Sequence, residues 1–206
     1  MKNNLDHIRD IAEIRSMMER SSKFMSLSGW AGILAGTYAL IGAYIAVKVY
    51  NFNPVTVSEA TENSGSTGLV QLIILALAVL IMASGTAIFF SYKRAVQRGE
   101  KAWNATARRL LSNMAVPLVS GVVLLIFLLT NGLLGLLAPF TLIFYGLALY
   151  NAGTFTYKEV KILGLVQLSL GLISTWLISY AIILWAMGFG LAHIIYGIYM
   201  HNRYER

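Results

Sequence analysis

Apolar residues run along the chain in six long stretches, Leu27–Tyr50, Leu69–Tyr92, Leu110–Thr130, Leu133–Tyr150, Val160–Ile178 and Ala181–Met200, separated by short polar links. Each is about the 20 residues a helix needs to cross roughly 30 Å of hydrocarbon. The pattern predicts an all-α integral membrane protein of six transmembrane helices arranged as three antiparallel hairpins. The first run follows a charge-rich segment of more than twenty residues, which makes it a retained span and not a signal peptide. The expected organisation is therefore an amphipathic cytoplasmic helix over 1–26, a six-helix membrane domain over 27–200 and a short cytoplasmic tail over 201–206.

The leading segment places Ile8, Ile11, Ile14 and Met18 on one helical arc, with Asp6, Arg9, Glu13 and Arg20 opposite. Its acidic and basic side chains nearly balance, so it is expected to lie in the interface, or to dock a partner, without strong attraction to anionic lipid.

Lipid supplies no hydrophobic drive between spans, so close helix contact depends on small residues in register. In the first run Gly29, Gly32, Gly36, Ala39, Ala43 and Ala46 alternate spacings of three and four and form one seam. That seam packs against another helix, in the same chain or across a homodimer. The fifth run repeats the pattern with Gly164, Gln167, Gly171 and Ser174, and the sixth with Ala186, Gly190, His193 and Gly197. If the last two helices turn near Tyr180, Gln167 lies at the depth of His193 and Glu159 at that of His201. His193 then faces the bundle roughly 10 Å inside the cytoplasmic boundary, hydrogen-bonded to Gln167. With Tyr196 one turn away, Gln167 and His193 form the candidate intramembrane polar site.

Composition sharpens this picture. Of 206 residues 57% are hydrophobic and only 12% are charged, and cysteine is absent, which removes disulfide, thiolate-metal and redox-thiol chemistry. The net charge of +7 does not imply nucleic acid, because its distribution is that of a topology signal. Lys and Arg gather before the first run, between the second and third, at Lys158 and Lys161, and at the C-terminus, whereas 51–68 contain none. Both termini are thereby expected in the cytoplasm. The link after the second run supplies Lys93, Arg94, Arg98, Lys101, Arg108 and Arg109 against Glu100 alone, the expected contact with lipid headgroups.

Enzymatic chemistry finds no support. There is no HExxH, GxSxG or phosphate-loop pattern, and no carboxylate accompanies His193 inside a span. Haem would need a second histidine at matching depth. No cofactor, metal or catalytic group is expected. Pro117 and Pro139 fall inside the third and fourth runs and are the expected sites of kinks.

The stretches "IRSMMERSSKFMSLSGWAGILAG" and "GFGLAHIIYGIYM" resemble small multi-pass inner-membrane proteins of Bacteroidota-type bacteria. The resemblance implies a bacterial inner-membrane location and a multi-pass fold, and attaches no activity. The layout is also similar to that of small six-helix stress-related membrane proteins, without a shared motif. The functional expectation is a non-enzymatic docking, regulatory or stress-related role, with the bilayer, a homodimeric copy and a cytoplasmic protein as partners. The alternative is a small-solute or proton-coupled transporter with its site at Gln167 and His193.

Overall fold

The computed structural model describes residues 27–53, 67–99 and 101–205. All its regular structure is helical: α1 Gly29–Lys48, α2 Thr67–Gln97, α3 Ala105–Thr130, α4 Leu137–Ala152, α5 Lys158–Trp176, and α6, which runs without interruption from Ala181 to Tyr204. The expected amphipathic helix over 1–26 and the polar 54–66 link lie outside the described residues.

Five helical stretches are long and apolar enough to cross a membrane: Gly29–Lys48, Gly68–Gln97, Ala105–Thr130, Leu134–Ala152 and Ile178–Tyr204. The fifth expected run is helix α5, but its first turn carries Lys158, Glu159 and Lys161, which dilutes its apolar character.

Local chemistry explains where the helices stop. Asn51, Gly99 and Gly132 take positive φ angles just beyond α1, α2 and α3, the left-handed conformation that closes a helix end. Asn104 opens α3 by accepting a hydrogen bond from the Ala107 amide at 2.8 Å. Pro139 is the third residue of α4, where its missing amide costs little, so it starts a helix and does not kink one. Pro117 does fall in the interior of α3, buried.

Within the bundle α1 packs against α2 and α6, α4 lies between α3 and α5, and α6 also touches α4 and α5. The outer faces of α2 and α3 remain apolar and exposed, as a lipid-facing surface requires: Ile74, Ile81, Ile88, Val116 and Val123 are examples. Hydroxyls on α1 and α2 fold back on their own backbone. Ser84 donates to the Leu80 carbonyl at 2.6 Å, Thr86 to Met82 at 2.7 Å and Thr37 to Ile33 at 2.8 Å. Polar groups of this kind carry no information about neighbours, unlike Gln167 and His193.

The glycine seams decide which helices touch. A Cβ on Gly36 would sit 2.5 Å from the Gly190 carbonyl, and one on Gly197 would sit 2.5 Å from the Gly29 carbonyl and 2.6 Å from the Ile33 amide. Gly32 faces Gly197 and His193 in the same way. Ala39, Ala43 and Ala46 are likewise buried. At its three glycines the first-helix seam is therefore filled by α6 of the same chain, so close packing there needs no second copy. On α5, Gly164 and Gly171 face α4, against Gly146 and Tyr150 and against Leu142 and Ile143. The glycines of the α5 and α6 seams thus fit against different helices, those of α5 against α4 and Gly190 and Gly197 of α6 against α1.

Candidate functional site

A widened turn in α6 builds the centre of the molecule. Over Ala186–Ala192 the helix winds as a π-helix, a form that takes up an extra residue and is common at functional sites. The sequence there is AMGFGLA, and Gly188 and Gly190 are its buried members. A Cβ on Gly188 would lie 2.5 Å from Gln167 Oε1 and equally close to Leu142, so any larger residue would displace these two side chains from the turn.

Gln167 is fully buried, and His193 is 6% exposed. Gln167 Nε2 donates to the Gly188 carbonyl at 2.7 Å. His193 Nδ1 lies 3.1 Å from the same carbonyl and 3.2 Å from Gln167 Nε2. On the other side of the ring, Nε2 is 3.1 Å from the Tyr145 hydroxyl. Phe189 stacks on His193 with centroids 5.9 Å apart, and Trp185 follows at 4.9 Å from Phe189, its indole donating to Thr141 at 3.1 Å.

These distances accommodate two neutral forms of the histidine. With Nδ1 protonated, His193 donates to Gly188 and accepts from Tyr145. With Nε2 protonated, it donates to Tyr145 and accepts the second Gln167 N–H. The heavy atoms stay where they are in both. Neither form gives Gln167 Oε1 a partner, and it is one of two buried orphans among the described residues, the other being Ser174 Oγ. An unpaired buried acceptor costs about 1–3 kcal/mol. The arrangement can hold a proton at either edge of the ring and offers one buried oxygen to a further donor.

Sequence reasoning placed Gln167 and His193 at one depth, and the structure brings them together. Tyr196 makes no hydrogen bond to either. Tyr196 packs beside Gly32 and against the cluster around Tyr157, Leu163 and Met200, and the hydroxyl at His193 comes from Tyr145. An antiparallel turn between α4 and α5 near Thr156 would have signalled Tyr145, because it puts Gly146 at the depth of Gln167.

At the opposite end of α6 lies a second polar centre. Arg94 was expected among the headgroup-binding residues, yet it is 8% exposed. Its guanidinium pairs with Glu205 and donates to the Leu27 carbonyl at 2.8 Å and the Tyr204 carbonyl at 2.7 Å. Glu205 in turn accepts from the Gly29 amide at 2.8 Å, capping the start of α1, and lies 2.7 Å from His201 Nδ1. Burial pushes the Glu205 carboxyl up, but bonds from His201, the Gly29 amide and Ser28, together with the Arg94 charge, outweigh this and hold it below its ordinary value. Arg94 and Glu205 thus clasp α1, α2 and α6, and the expected tail is the end of a helix.

Lys93, Arg98, Lys101, Arg108 and Arg109 are exposed, as headgroup contacts must be. Glu159 does not meet His201. It accepts from the Tyr204 hydroxyl at 3.1 Å, while His201 turns to Glu205 and to the Trp30 ring, 5.4 Å away. No group of three metal-binding side chains occurs among the described residues.

Fold and site together define the class: an all-helical protein with membrane-spanning character and a buried glutamine–histidine–tyrosine cluster. No protein-family model, curated protein or solved structure matches the chain.

Proposed function

We propose that the chain is a non-enzymatic protein of a bacterial inner membrane, crossing it six times as three antiparallel hairpins with both termini in the cytoplasm. Its role is regulatory or stress-related docking: the bundle presents a basic surface to a cytoplasmic protein. One observation carries the reading. Trp103 is 68% exposed in the link between α2 and α3, flanked by exposed Lys101, Arg108 and Arg109. A large exposed aromatic among cations is the composition of an interaction hot spot. A photo-crosslinking amino acid at position 103 tests it in cells. The expected result is a discrete protein adduct that fades in a Lys101→Gln/Arg109→Gln background and is absent when the crosslinker stands at Asn131. Adducts to lipid alone sink the docking reading. Orientation is tested separately: the natural chain has no cysteine, so single cysteines at 103 and 131 are expected to label from opposite sides of the membrane.

A second reading, proton-coupled transport of a small solute, is favoured by the unpartnered Gln167 Oε1 beside the π-turn. In proteoliposomes carrying an internal pH dye it predicts a proton flux under an imposed potential that His193→Leu abolishes. Flux no greater than in empty liposomes removes it.

A further inference from the structure

Around the Arg94–Glu205 clasp lies a cleft of about 350 Å³, lined by Ser28 and Trp30 of the α1 end, by Phe90, Lys93, Arg94, Gln97 and Arg98 of α2, and by His201, Tyr204 and Glu205. Its volume is that of a small-molecule site and is too small for a whole lipid.

The chemistry of the walls is ordered by depth. Phe90, Lys93, Arg94, Gln97 and Arg98 recur at three- and four-residue steps, so they form one stripe of α2 facing the cleft. Along this stripe the residues change from aromatic to cationic over about 12 Å of helix rise. Trp30, 46% exposed, faces the stripe from α1 with its edge on His201. A phospholipid presents the same order, with glycerol and upper acyl carbons below and phosphate above. The charges agree with that order. Among the described lining residues Arg94 neutralises the carboxylate of Glu205, and Lys93 adds positive charge where the phosphate would sit. Lys93 and Arg98 are exposed members of the lining.

We propose that this cleft binds the phosphate headgroup of an anionic phospholipid, held by Lys93 and Arg98, with Trp30 and Phe90 against its glycerol region. The site is separate from the Lys101–Arg109 surface and does not rest on the docking reading. The clasp forms its floor, so occupancy braces the junction of α1, α2 and α6.

The full chain in nanodiscs tests this through quenching of tryptophan fluorescence by brominated phosphatidylglycerol against brominated phosphatidylcholine, with a Trp30→Phe chain identifying the Trp30 contribution. The expected preference for phosphatidylglycerol at Trp30 is about thirtyfold, at the scale of two cations near a phosphate. It should fall to near parity in Lys93→Gln/Arg98→Gln and persist in Lys101→Gln/Arg109→Gln. Both pairs are exposed, so folding is preserved, and circular dichroism checks it. Equal quenching by the two lipids overturns the proposal, as does an equal loss in both double variants, which would show a diffuse surface field. Displacement of phosphatidylglycerol by millimolar inorganic phosphate also overturns it, in favour of a site for the free anion.

Discussion

Replacing Gly197 by alanine tests the packing of α1 on α6 at its tightest point. The added Cβ would stand 2.5 Å from the Gly29 carbonyl oxygen and 2.6 Å from the Ile33 amide nitrogen. Against the usual contact distance it falls short by about 0.9 Å, and both obstructing atoms are backbone, so no rotamer change relieves them. The helices must part by a comparable amount. The neighbouring close approaches at Gly32 and Gly36 loosen with them. Overpacking costs about 1–3 kcal/mol, and a clash with two backbone atoms belongs at the upper end, about 2–3 kcal/mol. Alanine is also the better helix former by about 1 kcal/mol, which offsets part of this in the measured value. The control is Gly85→Ala on α2, where nothing lies within 4 Å of the new methyl; it should be neutral or mildly stabilising. The assay is equilibrium unfolding in mixed micelles, repeated at two protein concentrations. A Gly197→Ala chain as stable as the Gly85→Ala chain would refute the in-chain seam. A destabilisation that depends on protein concentration would return the seam to a dimer interface.

Four further outcomes are expected. Gln167→Leu removes the bond to the Gly188 carbonyl but also an orphaned oxygen, so it should destabilise by only about 0.5–1.5 kcal/mol, measured by the same unfolding assay. His193→Ala leaves a cavity among Phe189, Tyr145 and Gln167 as well as lost hydrogen bonds, and should cost more, about 2–4 kcal/mol. Arg94→Leu leaves Glu205 partly buried without its cation, at about 2–3 kcal/mol, and a double-mutant cycle with Glu205→Gln should show strong coupling. The Glu205 carboxyl is held below its ordinary value, so the stability it contributes is present above the unfolded-state value and is lost as pH falls through the folded one. Thermal unfolding should therefore drop on acidification below about pH 4, and this component should be missing in Glu205→Gln.

The helices were legible in the sequence to within about five residues at their ends because hydropathy reads the apolar length of a helix, and five of the six are long and apolar enough to cross a membrane. The Gln167–His193 contact was legible because the link between α5 and α6, through Leu177 and Tyr180, is short enough to fix their relative depth. The same arithmetic failed for Glu159 and His201. Near its end α6 leans on α1 through Gly197 and Gly29, which turns His201 toward Trp30 and leaves Glu159 to Tyr204. Arg94 is indistinguishable in sequence from Lys93. What separates them is Glu205, 111 positions away, and no local pattern encodes that pairing. Tyr145 lies on α4, outside the three runs whose small-residue seams carry the pattern, and only Gly146 beside it marks where α4 meets α5. The π-turn was hinted at only by two glycines flanking Phe189, a pattern that ordinary helix packing also produces.

That turn has a consequence for the length of the chain. A π-turn takes one residue more than the α-turn it replaces, so the helix faces on either side are those of an ordinary helix with a single insertion between them. Deleting one residue among Met187–Leu191 should then leave Trp185 and Gly197 facing as they do now, while the carbonyl that receives Gln167 is drawn back into the helix's own ladder. The last helix thus carries one residue beyond what its span requires, and that surplus residue is the part of the fold that gives Gln167 something to hold.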